Sequence, residues 1–79
     1  MPKVKIKLPL PEDIADFVNI CSKYDCDINV YDGRTIIDAK SIVGIFSIEP
    51  GKTVEVQAIT SDEDVIVNLM KDIRKFEVI

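Results

Sequence analysis

The sequence predicts an α+β fold: a four-stranded sheet carrying three amphipathic helices on one face, in the order β-α-β-β-α-β-α. Residues 3–8 and 53–59 alternate apolar with polar side chains, the period of a half-buried strand. Ile14, Phe17, Val18 and Cys21 fall three and four apart, as in a buried helical stripe. The Asp32-Gly33 pair between two short β-branched runs marks a hairpin. With 79 residues and 47% hydrophobic side chains, the chain is expected to be one domain, residues 1–79, with its own core.

The first strand has Val4, Ile6 and Leu8 on one face and ends at Pro9-Leu10-Pro11, where neither proline can donate to a ladder. Pro11 suits a first helical turn, and Glu12 and Asp13 suit the positive end of a helix dipole. That helix is expected to run to about Tyr24. Extended runs at 28–31 and 35–37 form the hairpin, joined through Asp32-Gly33, both of which can take positive φ. A short helix over 42–48 follows, with Ser41 placed to cap it, and Pro50-Gly51 stops it. The strand at 53–59 turns Val54, Val56 and Ala58 one way and Glu55 and Gln57 the other. Thr60 or Ser61 is the expected cap of the last helix, whose opening turn holds Asp62, Glu63 and Asp64. Ile66, Val67, Leu69, Met70 and Ile73 give it a broad apolar face. Phe76-Glu77-Val78-Ile79 fits either a last helical turn or an extended tail.

Composition narrows the function classes. The net charge of −4 disfavours nucleic acid, and Lys3, Lys5 and Lys7 read as the solvated face of the first strand. No apolar run approaches membrane-spanning length, and the basic start leads into an alternating strand, not a signal sequence. A cytoplasmic protein is expected. Cys21 and Cys26 are the only cysteines and the chain has no histidine, so no zinc shell and no histidine-based triad can form. Cys21 lies on a helical stripe and is expected to be a buried free thiol, while Cys26 is less constrained. The acidic run at 62–64 matches no calcium loop and is explained by helix capping. No catalytic residues, no metal and no cofactor are expected, and the protein is expected not to be an enzyme.

The segment Ala39-Lys40-Ser41-Ile42-Val43-Gly44-Ile45-Phe46-Ser47-Ile48 resembles the regulatory serine region of the HPr-like phosphocarrier family of the sugar phosphotransferase system. The resemblance extends through Ser22-Lys23-Tyr24-Asp25 and the strand after it, through Asp32-Gly33-Arg34, and to Gly51 and Asp62-Glu63. It implies that family's open-faced β/α sandwich with an antiparallel sheet. Aligned without gaps from Ser22 back, the family's active histidine falls at Leu10, its phosphate-steadying arginine at Glu12 and its helix-opening proline at Asp13. Leu10 offers no nucleophile and Glu12 replaces a cation with an anion, so phosphate carriage on histidine is excluded.

Two features survive that loss. The resemblance implies that Ser41 is a phosphorylation site for a dedicated kinase (the HPr kinase), with a transcriptional regulator responding to the modified protein. A branch of the family keeps this serine without the histidine. Phosphate at a helix N-terminus is electrostatically reasonable, and Lys40 is near enough in sequence to contribute. The plainer alternative leaves Ser41 an unmodified cap. The second feature is an apolar partner surface at Leu10, Ile42, Val43 and Phe46, bordered by Glu12 and Lys40, which a protein partner or a second copy in a homodimer would cover. Against it stands the reading in which Ile42, Ile45 and Ile48 serve the core and the rest are scattered exposed residues. The expected function is thus a non-catalytic regulatory or adaptor protein. The alternative is a structural or functionally unassigned descendant of the fold, self-associating or not, without phosphorylation.

Overall fold

The computed structural model describes residues 2–78. Its elements are β1 (Val4–Ile6), α1 (Pro11–Cys21), β2 (Asp27–Asp32), β3 (Thr35–Asp38), α2 (Ile42–Phe46), β4 (Val54–Ile59) and α3 (Glu63–Ile73), followed by a 3₁₀ turn at Arg74–Phe76. The strands form one antiparallel sheet in the order β1-β4-β2-β3. The expected order of elements and the open-faced sandwich are both present.

Alternation along the strands divides the sheet into two unlike faces. Val4, Val56, Val30 and Ile37 lie in register across all four strands, and all are buried beneath the helices. One residue along, Lys5, Glu55, Tyr31 and Ile36 form the matching row on the helix-free face. Lys3, Lys5 and Lys7 are exposed there, and the Lys3 ammonium sits 4.1 Å from the Tyr31 ring centroid. Tyr31 donates its hydroxyl to Gln57 Oε1 at 2.8 Å, which orders the middle of that face.

The helices cover the other face with the expected stripes. Ile14, Phe17, Val18 and Cys21 of α1 are buried, and Phe17 meets Phe76 edge-on at 6.0 Å. Full burial of an aliphatic or aromatic side chain contributes about 1.5–3 kcal/mol, so this shared core dominates the stability. The face of α3 is narrower than its sequence suggests: Leu69 and Ile73 are buried, whereas Val67 is exposed.

Several boundaries differ from expectation. The first strand is regular only over Val4–Ile6, where it pairs with Val54–Val56 of β4. The α-helical part of α1 ends at Cys21, and tighter bonds from Lys23 N–H to Ile20 O and from Tyr24 N–H to Cys21 O carry the chain on to Tyr24. Helix α2 ends at Phe46, with Ile48 N–H returning to Ile45 O. The hairpin loop is Gly33-Arg34, since Asp32 pairs with Thr35 inside the ladder. Of the Asp32-Gly33 pair only Gly33 takes positive φ (59°), as the first position of the two-residue loop. Asp62, not Thr60 or Ser61, caps α3: its carboxylate accepts from Asp64 and Val65 N–H. After the 3₁₀ turn the tail is extended: Glu77 bridges to Ile6, and Val78 N–H donates to Lys5 O. Ile79 lies outside the described residues. No helix among them is long and apolar enough to cross a membrane.

Candidate functional site

Leu10 is the N-cap residue of α1, in extended conformation (φ −116°, ψ 151°). A leucine side chain has no acceptor for the orphan N–H groups of a first helical turn. The converse bond is made: the Asp13 carboxylate accepts Leu10 N–H at 3.1 Å, the acidic half of a capping box. With Glu12 beside it, Asp13 puts the protein's own negative charge where a phosphoryl group would need positive potential. The start of α1 is therefore filled by carboxylate and repels a second anion.

Ser41 caps α2, as its position in the sequence suggests. Its Oγ accepts Gly44 N–H at 3.1 Å, and its own N–H donates to Asp38 O. The side chain is half-buried. Lys40, near Ser41 in sequence, directs its ammonium to the Tyr24 carbonyl at 2.5 Å, tying the approach to α2 against the end of α1. Lys40 N–H is held by Asp38 Oδ1 at 2.9 Å. Tyr24 in turn donates its hydroxyl to Asp72 of α3 at 2.5 Å. Burial, then that hydrogen bond to the carboxylate, pushes the phenol up to about 12. A polar chain thus runs from the residue before Ser41 to the third helix.

Gly44 sets how closely α2 approaches the sheet. A Cβ built there would stand 2.9 Å from Ile37 Cγ2 and 3.2 Å from Ser41 Oγ. Ile45 and Ile48 are buried, while Ile42 is 42% exposed, so the core reading fails for Ile42 and holds for the other two. Val43 (79% exposed) and Phe46 (50%) share the outward face of α2 with Ile42 by helical spacing. Leu10 (51%) projects from the start of α1, which packs on α2. Four of the six surface candidates are thus large, apolar and exposed. Glu12 is exposed at the head of α1, and Lys40 is half-buried and internally bonded. Among the described residues there is neither a pocket nor a metal-ligating cluster.

The sequence reading missed Asp13's bond to Leu10, although an acidic residue three after a helix start is the usual signal for it. Nothing in the sequence announces the Lys40–Tyr24 bond, which depends on how two helices meet.

A four-stranded antiparallel sheet with this element order and a serine-capped second helix defines an open-faced sandwich of the phosphocarrier class. The family model described as "PTS HPr component phosphorylation site" matches residues 13–75, and the chain belongs to that family. The match includes Ser41 and begins after Leu10 and Glu12. No curated protein matches the chain. Among solved structures, it is similar to HPr-C-His from Thermoanaerobacter tengcongensis (28% identity, 95% of this chain and 92% of that one, TM-score 0.73). It is similar to the phosphocarrier protein HPr from Bacillus anthracis str. Ames (25%, 90% and 94%, TM-score 0.64). A third is the Bacillus subtilis catabolite repression containing protein Crh, a domain-swapped dimer (25%, 91% and 85%, TM-score 0.61).

Proposed function

We propose that this protein is a non-catalytic regulatory or adaptor member of the HPr family, working in the cytoplasm through protein contact and carrying no phosphate on histidine. The observation that supports this most is the exposed apolar set Leu10, Ile42, Val43 and Phe46, next to a helix start already neutralised by Asp13. An exposed aliphatic–aromatic cluster is the usual core of a protein interface. Where a carrier would present a nucleophile, this chain presents leucine. Crh, named for catabolite repression, offers a precedent for a regulator on this scaffold.

Ser41 is the control point of the reading. A phosphate there adds strong acceptors and charge directly beside the apolar face, and it competes with Gly44 N–H for the serine oxygen. The candidate partners are an HPr kinase acting on Ser41 and a transcriptional regulator that reads the modified face. Incubating the full chain with the family's serine kinase and ATP, followed by intact-mass measurement, is expected to add one phosphate, absent in Ser41→Ala. An unchanged mass would remove the phosphoserine from the proposal.

A further inference from the structure

The two edges of the sheet are finished differently. The outer edge of β1 is closed by the chain's own tail, with Lys7 N–H on Phe76 O, Val78 N–H on Lys5 O, and Glu77 bridging to Ile6. The outer edge of β3 has no strand beside it among the described residues. Neither proline nor lysine, two common guards of such edges, occurs in Thr35–Asp38. It carries instead Ile36, 62% exposed.

The ladder fixes which backbone groups that edge presents. Ala39 N–H bonds to Ile28 O, so Ala39, Ile37 and Thr35 turn their polar groups toward β2. Ile36 therefore turns its N–H and C=O outward. We propose that a second copy of this chain pairs along this edge, β3 antiparallel to β3, with the two-fold axis passing through Ile36.

Three independent requirements select that register. The outward N–H and C=O of Ile36 meet those of the partner's Ile36, giving a reciprocal pair of hydrogen bonds. Side-chain faces match, because residues directly opposite in an antiparallel pair share a face, and the two exposed isoleucines then cover each other. Charge matches as well. Arg34, in the turn just before β3, comes beside the partner's Asp38, and Asp38 comes beside the partner's Arg34. Arg34 and Asp38 are both exposed, and no salt bridge joins either to another described residue. Displacing the pairing by one residue would set Ile36 against residues of the buried face. The contact is a few residues long, which makes the dimer weak and concentration-dependent. It uses neither the helical face nor an element exchanged between the two copies.

The test is sedimentation velocity of the full chain from about 10 µM to about 1 mM, the range such a small interface occupies. The wild type is expected to shift from monomer toward dimer across that range. Ile36→Lys, a surface change that should preserve the fold, is expected to hold the chain monomeric throughout. Arg34→Asp alone and Asp38→Lys alone each set like charges opposite and should weaken self-association about tenfold. Mixing these two variants restores both ion pairs and should yield a heterodimer at concentrations where each alone is monomeric. A wild type that stays monomeric at every concentration overturns the proposal. So does a dimer indifferent to Ile36→Lys, whether abolished by Val43→Asp or exchanging only on the unfolding timescale of a swapped strand.

Discussion

The Lys40 ammonium donates to the Tyr24 carbonyl, so the cation that precedes Ser41 in sequence is held by the end of α1. It spans the gap between the first two helices, and Tyr24 extends the link to Asp72 of the third. A phosphate on Ser41 would compete for Lys40 and loosen that tie, giving the modification a consequence beyond its own charge. Lys40→Met keeps most of the side chain's length and removes the bond. It is expected to cost about 1.5–3 kcal/mol, the range for a hydrogen bond from a charged group, read as a lower urea midpoint with an unchanged m value.

Leu10 is a poor N-cap, and replacing it should stabilise the protein. Leu10→Ser supplies an acceptor for the first turn while the Asp13 bond to the backbone remains. The expected gain is about 1 kcal/mol, seen as a higher melting temperature. If Leu10→Ser melts lower than the wild type, Leu10 is packed in a way its exposure does not suggest.

Gly44→Ala raises helix propensity by about 1 kcal/mol and nevertheless should destabilise. The new methyl meets Ile37 Cγ2 at 2.9 Å, and Ile37 is held in the core. Overpacking of this kind costs about 1–3 kcal/mol. Thermal unfolding decides the sign, and a stabilised variant would show that α2 shifts freely on the sheet.

Burial pushes the Cys21 thiol from its ordinary value of 9.0 up to about 12. The unfolded chain releases that proton at lower pH than the folded one, so stability is fully present below about pH 9 and is lost as pH rises toward 12. Tyr24, raised from 10.0 to about 12, adds to the loss above pH 10. Melting temperatures taken from pH 8 upward should fall, with a shallower slope in Cys21→Ala. At pH 8, alkylation of the folded protein should modify the half-buried Cys26 before Cys21.

The sheet and the helices were legible because each carries its own period. Val4–Ile6, Val54–Ile59 and the stripe from Ile14 to Cys21 need no partner to be recognised. Ser41 was legible for the same local reason, as a cap four residues before the first buried residue of a short helix. What escaped depends on meeting elsewhere in space. The hairpin loop moved to Gly33-Arg34 because the ladder with β3 keeps Asp32 in strand. Asp62 took the cap from its neighbours because its carboxylate reaches two N–H groups at once. Ile42 left the core because Gly44 and Ile45 are the residues turned to the sheet side. Lys40 turned from Ser41 because the end of α1 lies within its reach.

The central claim is that the exposed face formed by Leu10 and α2 docks a protein partner in place of carrying phosphate. The most direct measurement captures partners from native cytosol on the immobilised full chain and compares wild type with Leu10→Asp and Phe46→Asp. Both positions are at least half exposed, so both variants are expected to fold, which circular dichroism checks. The account predicts a partner held by the wild type and lost by both variants. If both folded variants retain every partner, that face is not the docking site and the account is wrong.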